Sequence, residues 1–356
     1  MDIIIVGAGP TGLTAGLELA RRGAHVEIID KKKTGSTLSR AVGINPRSLQ
    51  ILEASGVTKQ LLKAGIQYHE AHFHYGAKPW VTLRLDAALP MQYGYNFMLG
   101  LPQDKTERIL KKAFEDLGGI VHYSTTLKTY AEVEGRVTVT TTEDKILEGD
   151  YLIGADGTHS LTREIMGVAF NGTALPEVWS IADIDADAPE LTGGVSLYML
   201  GDGNVVFIAP IGKQRFRFVS NTKRVLDNLP FELNIKKIRR ESDFNIEIAQ
   251  VKDYQKGRVF LAGDAAHAHS PAGGRGMNLG MADAADLAEK LVTGQFENYT
   301  KSRYQEGKKI IAGSEVLRKI LTAKNPVKQY LALGLLKCVA NIPYLQKKFA
   351  SRFLYG

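Results

Sequence analysis

The first thirty residues constrain the fold most. "DIIIV" (Asp2–Val6) is a continuous apolar run, the pattern of a strand buried on both faces. "GAGPTG" follows, then "LTAGLELARRG", in which Leu13, Leu17 and Ala20 recur at helical spacing. Gly23 ends that helix, and Arg21 and Arg22 suit its electronegative C-terminal end. "HVEIID" (His25–Asp30) is the next strand. Gly7, Gly9 and Gly12 therefore form G-x-G-x-x-G between a strand and a helix. The first permits a tight turn, the second lets backbone approach a pyrophosphate, and the third lets helix pack on strand. The phosphates belong at the helix N-terminus, where free N–H groups and the dipole favour anions. Asp30 closes the second strand about 20 residues on, where an acid meets a ribose. A Rossmann-like dinucleotide site using Gly7, Gly9, Pro10, Thr11, Gly12 and Asp30 is the expectation; both FAD and NAD satisfy it.

A chain of 356 residues with 44% hydrophobic content buries a large core, in two domains or in one with an insertion. The single Cys338 excludes an internal disulfide and suits a reducing compartment, so a cytoplasmic location is expected. No basic segment precedes the first strand, and no cleaved signal is read. The net charge of +7 is concentrated: Arg318 to Arg352 holds eight Lys/Arg and no Asp/Glu. Elsewhere no basic stripe interleaves with aromatics, which argues against a nucleic-acid partner.

Along the chain, a helical stretch at "NPRSLQILEASG" leads into a mixed segment, residues 67–100. "PQDKTERILKKAFEDLGG" is an amphipathic helix ended by a glycine pair. "RVTVTTT" and "ILEGDYLIGADG" alternate as hairpin strands do, and residues 171–248 form short β-runs. "RVFLAGDAAH" is a strand entering a loop, and "MADAADLAEKLV" is a helix. The reading is an α/β protein. Residues 1–70, 101–170 and 251–310 form a discontinuous nucleotide domain, 71–100 and 171–250 a substrate-binding sheet, and 311–356 a helical C-terminal segment. In that segment Asn325 caps a helix with Pro326 at its first position. Lys328 and Lys337 break its apolar run, so it does not span a membrane. It either lies on an anionic membrane surface or packs on the body; the second is expected.

Two further stretches carry a resemblance. "DYLIGADGTHSLTREIMG", with Asp156, Gly157, Ser160 and Arg163, resembles the Asp-Gly motif of flavin-dependent aromatic hydroxylases. "RVFLAGDAAHAHSPAGGRGMNLGMADAADLAEKL" resembles their Gly-Asp motif and flavin loop. "SRAVGINPRSLQIL" and "LPQDKTERIL" resemble the segments that place an Arg and a Gln, here Arg40 and Gln103, beside the cofactor. With the N-terminal glycines, the signals run in the family's order to about Glu306. The chain thus resembles the single-component flavoprotein monooxygenases similar to para-hydroxybenzoate hydroxylase.

The resemblance implies FAD. Asp264 would accept a hydrogen bond from a ribityl hydroxyl, which a nicotinamide nucleotide lacks. Pro271 and Gly274 sit in a loop with little side-chain bulk, so backbone can lie against a flat ring. Gly276, Met277 and Asn278, at the next helix's positive end, would face the ring's pyrimidine edge. Leu127 and Asp156 complete the expected cofactor contacts.

The activity so implied is NAD(P)H-consuming monooxygenation of an aromatic or polycyclic small molecule, with O2 as co-substrate and a flavin hydroperoxide as oxygen donor. The chain has one dinucleotide fingerprint, so NADH or NADPH would bind transiently. The flavin carries the chemistry, and no residue is assigned as catalytic. His267 and His269 lack the companions of a metal site and read as buried or capping residues; no metal is expected. Tyr198, Met199, Phe207, Arg215, Phe218, His72 and His74 are substrate-side candidates that alternation does not separate from core. The rivals are a reductase or halogenase-related flavoenzyme and a membrane-surface flavoprotein acting on a lipid-like substrate. The halogenase Trp-x-Trp-x-Ile-Pro signature is absent. Oligomeric state is not legible.

Overall fold

The computed structural model describes residues 1–36, 41–87 and 93–355. Its helices are α1 (Pro10–Ala20), α2 (Pro46–Ile51), α3 (Val57–Ala64), α4 (Gln103–Asp116), α5 (Leu161–Met166), α6 (Gly276–Thr293), α7 (Tyr299–Leu321), α8 (Pro326–Asn341) and α9 (Pro343–Tyr355).

The apolar run Asp2–Val6 lies inside a six-stranded sheet. The strand order is 255–256, 259–261, 151–154, 2–6, 25–30 and 120–123. Ile3 pairs in parallel with Val26 on one side and Tyr151 on the other. Its isoleucines need apolar cover on both faces, and α1, α4 and α6 supply it in one continuous core with Leu17, Phe114 and Leu287. From Val6 the chain first adds a strand on one side, then returns much later to the other. Such a reversal of strand order opens a crevice at the strands' C-terminal ends.

One sequence expectation is corrected here. "RVTVTTT" and "ILEG" do pair as a hairpin, with Val139 opposite Leu147. "YLIG" instead leaves for the parallel sheet. Asp150 makes the break: its Oδ2 accepts from Asp2 N at 2.8 Å, pinning the chain as it changes sheets.

The second sheet has eight strands, built around the long antiparallel pair Asn171–Ala186 and Ile235–Gln250. Its faces differ. Ala182, Ile184, Tyr198, Ile208, Phe216 and Phe218 form a core beneath residues 225–235. The opposite face carries Phe73, Leu197, Phe207 and Val219, with Arg217 and Asp183 among them, and looks into the crevice. The C-terminal helices cover part of that face. Leu333 of α8 packs with Trp179, Met199 and Val205, and Ala350 and Leu354 of α9 pack with Tyr68 and Ala209. Asn325 caps α8 as its sequence requires, accepting from Val327 N at 2.9 Å. Among the described residues no helix is long and apolar enough to cross a membrane.

Candidate active site

The C-terminal strand ends converge on one cleft of about 2620 Å³. Ligand pockets commonly hold about 300–1,000 Å³, so this one has room for a large cofactor and a second molecule. One end is lined by loops of the parallel sheet, the other by the apolar face of the eight-stranded sheet.

At the first end, Gly7 has φ +109° and donates its N–H to Ile29 O at 2.8 Å. A Cβ there would lie 2.3 Å from Ala155 O. At Gly12 a Cβ would lie 1.9 Å from Gly7 O, so only glycine lets α1 start this close to the first strand. Gly9 differs: a Cβ there meets nothing within 4 Å, because that side opens into the cleft. Gly9 is the N-cap of α1 without a side-chain cap, and Pro10 follows. The helix thus directs free N–H groups and its positive end toward the cleft. Thr11 points the other way, and its Oγ1 fills the space beside Gly263 and Gly280 that joins α1 to α6.

Asp30 reaches the cleft while tying its wall together. Its Oδ2 accepts from Ala8 N and its Oδ1 from Lys32 N, both at 2.8 Å. Each oxygen retains a second lone pair. Asp156 is bound by its own turn: Ser160 Oγ donates at 2.5 Å and Thr162 N at 3.1 Å. Burial raises its carboxyl above the usual carboxylate range, against the lowering by these bonds. Arg163 of the same motif is buried and donates to Ala265 O at 2.9 Å, joining the Asp-Gly turn to the Gly-Asp loop. Leu127 is buried in the core and also lines the cleft.

Gln103 begins α4 and lines the cleft. Its Nε2 donates to Glu107 Oε1 at 2.8 Å, and its Oε1 accepts from Ala41 N at 3.4 Å. Burial pushes the Glu107 carboxyl up. Arg40 lies outside the described residues.

Asp264 is exposed on the cleft at the end of strand Val259–Leu261. The loop after it turns through a Gly274 N–H to Pro271 O bond of 2.9 Å. Helix α6 then begins at Gly276, earlier than its apolar periodicity suggests, again without a side-chain cap. Gly276 and Met277 line the cleft there. Asn278 has a use the sequence did not show. Its Oδ1 accepts from Asn45 N at 2.8 Å and Ser48 Oγ at 2.9 Å, and its Nδ2 donates to Gly43 O and Gly274 O. The side chain clasps α6 to α2.

Behind this loop lies a network that sequence reading missed. Asp283 of α6, fully buried, accepts from Gly263 N at 2.9 Å and pairs with His267 Nε2 at 2.6 Å and Arg303 Nε at 2.6 Å. Burial pushes the Asp283 carboxyl up, but Arg303 and His267 outweigh it and hold the group at about 2. His267 is thus a buried partner, as expected of it. His269 is half-buried at the cleft; burial, aided by His267, lowers it to about 4.

At the second end, alternation sorts the substrate-side candidates. Met199 and Phe207 line the cleft, while Tyr198 and Phe218 pack in the core on the far face. Tyr198 stacks on His74 at 4.1 Å. His72 lines the cleft and contacts Thr82 Oγ1 at 3.0 Å. Arg215 stands 3.5 Å from Asp183. A buried charge of this wall is Arg217, 1% exposed, which pairs with Asp183 through two bonds of 2.7 Å and donates to Ala41 O at 3.1 Å. It ties the eight-stranded sheet to the segment held by Gln103. Arg240, Asp243 and Glu247 also line the cleft.

The residues present fit a flavin dinucleotide. Two helix N-termini without side-chain caps, α1 and α6, face the same cleft, and Gly9 leaves open the side where a diphosphate would approach. Residues 1–228 and 221–295 match the FAD binding domain family. The 6-methylpretetramide 4-monooxygenase of Streptomyces rimosus is 30% identical over 388 residues, 100% of this chain and 68% of the relative. The chain belongs to the family of FAD-dependent monooxygenases. Rifampicin monooxygenase of Rhodococcus hoagii is 30% identical, covering 82% of this chain and 63% of its own length. This family member thus spans about two thirds of the length of the curated relatives it matches. Among solved structures, p-nitrophenol 4-monooxygenase from Pseudomonas putida DLL-E4 superposes with a TM-score of 0.90 at 18% identity, covering 99% of this chain and 96% of that one. That likeness shows the shared fold.

Proposed function

We propose that this monooxygenase hydroxylates an aromatic or polycyclic small molecule, with NAD(P)H as transient reductant and O2 as co-substrate. The observation that carries the reading is the continuity of the cleft: the nucleotide end runs directly onto an apolar sheet face walled by Phe73, Leu197, Met199, Phe207 and Val219. Such a wall suits a flat hydrophobic substrate. The named relatives point the same way, acting on 6-methylpretetramide and rifampicin. The exposed thiol of Cys338 suits a reducing, cytoplasmic compartment.

Bound FAD supplies the redox chemistry, taking reducing equivalents from a nicotinamide and activating dioxygen. The protein's part is to bind, orient and exclude water. The α1 N-terminus at Gly9 and Pro10 would receive the diphosphate, and Asp30 would use its remaining lone pairs for a ribose. Asp264, exposed on the cleft, would accept from the ribityl chain. The N–H groups of Gly276 and Met277, at a positive helix end, would hold the polar edge of the ring. At the apolar end, Arg217 is held by buried Asp183. Tyr68 is held out of proton transfer: its hydroxyl donates to Pro210 O, and burial raises its pKa.

The test is NAD(P)H oxidation under oxygen across a panel of phenols and polycyclic aromatics, with product mass from isotopically labelled O2. A gain of one labelled oxygen supports the reading. A product formed anaerobically without added oxygen overturns it in favour of a reductase or another flavin-held reaction.

A further inference from the structure

Helix α8 is amphipathic in an unusual sense, because its apolar stripe points outward. Its inner side is ordinary: Gln329 and Leu333 are buried, and Leu333 packs on Trp179. On its outer side Val327 is 62% exposed, Leu331 68% and Leu335 67%. At about 100° per residue these three fall within a narrow arc of the helix, with Cys338 inside it. Lys328 lies just beyond one edge of that arc and Lys337 beyond the other, both exposed. The stripe continues past the helix end through Ile342 and Tyr344, also exposed, toward Lys347 and Lys348. Leu335 stands where the stripe meets the mouth of the cleft, beside Val316 and Ile320 of α7.

Exposed apolar groups that form a contiguous patch mark an interaction site, whereas single ones do not. The chemistry of the rim identifies the partner. Arg318 is paired with Glu315, and from Lys319 to Arg352 there are seven further Lys/Arg and no Asp/Glu. A symmetric contact with a second copy would set this basic rim against itself, with no acid in the segment to answer it. An anionic bilayer answers both features: leucines enter the acyl boundary, while flanking lysines extend their charged ends to the headgroups. We infer that the outer face of α8, with the α8–α9 corner, docks the protein on an anionic membrane surface. No spanning segment is needed, and the helix lies in the plane of the interface. The inference stands on this surface alone and does not depend on the proposed reaction.

Flotation of the full FAD-loaded chain with lipid vesicles tests it. Vesicles containing phosphatidylglycerol should carry the protein up the gradient. Pure phosphatidylcholine vesicles should bind several-fold less, and high salt should weaken the first association. The double variant Leu331→Gln/Leu335→Gln should lower the bound fraction about five-fold or more, with bound-FAD absorbance unchanged. Lys328→Gln/Lys337→Gln should do the same through the charge component, and tests the idea even if the first pair folds poorly. Absence of flotation with phosphatidylglycerol vesicles overturns the inference, as does flotation that both variants leave intact. So does a dimer by sedimentation velocity that Leu331→Gln/Leu335→Gln turns into monomer, which would give the face to a second copy.

Discussion

Replacing Asp283 with Ala should destabilise the protein and loosen its cofactor together. The side chain is fully buried and satisfies three groups at once: Gly263 N–H, His267 and Arg303. Deleting one partner of a buried ion pair costs about 3–5 kcal/mol, because the remaining charge stays buried without its counterion. Arg303 keeps one contact, Nη1 to Glu306 at 2.7 Å, which places the loss toward the lower end. At ~2 °C per kcal/mol for a large chain, the melting temperature should fall by roughly 6–10 °C. Because Gly263 precedes Asp264, the freed amide should also disturb the loop proposed to hold the flavin. Thermal unfolding followed by far-UV circular dichroism measures the first effect, and FAD absorbance after gel filtration the second. The double variant Asp283→Ala/Arg303→Met should be less destabilised than the sum of its parts, by about 1–3 kcal/mol, since it removes the stranded charge. A melting temperature within roughly 2 °C of the parent would refute the reasoning, as would strict additivity.

Three other outcomes follow from the geometry. Gly12→Ala should abolish FAD retention, because its methyl group would meet Gly7 O and push α1 off the first strand; equilibrium dialysis against FAD reads this directly. Asp264→Ala should weaken flavin retention with little change in melting temperature, since the residue is exposed; a variant that keeps its flavin through gel filtration would remove Asp264 from the proposed site. Stability should decline in two acid windows. His269, held neutral at about 4, binds fewer protons folded than unfolded, so its contribution is full above about 6.5 and fades as pH falls toward 4. Asp283, held at about 2 against an ordinary 3.8, loses its contribution as pH falls from about 4 toward 2. Urea midpoints measured against pH should show His269→Phe flattening the first window only.

The parts of this molecule that sequence reading reached were those written locally. Gly7 and Gly12 meet within six residues, with Gly9 between them open to the cleft, and Asn325 followed by Pro326 marks a helix start by itself. What escaped was set by partners far along the chain. Asn278 looks like a ligand contact beside Met277, yet its side chain is spent on residues 43, 45, 48 and 274. Asp283 sits inside an apparently apolar helix, and its partners His267 and Arg303 lie in other elements. Tyr198 and Met199 are neighbours with opposite fates, because a strand alternates faces and sequence alone does not say which face meets the cleft. "ILEG" and "YLIG" read as one strand; the change of sheet at Asp150 depends on Asp2, 148 residues away.

The strand order of the parallel sheet has a consequence for how the protein is made. Ile3 to Val6 leave the ribosome early, but one neighbouring strand, Tyr151–Gly154, arrives far later, and that strand's other neighbour, Val259–Leu261, later still. Pairings of such long sequence separation form slowly. Until then the nascent chain carries an apolar strand with an open edge, the kind of surface that holdase chaperones retain and that aggregates when they are scarce. Fragments ending before Leu261 should therefore accumulate as insoluble material. Yield from an expression host should respond more to chaperone supply than to the stability of the finished fold.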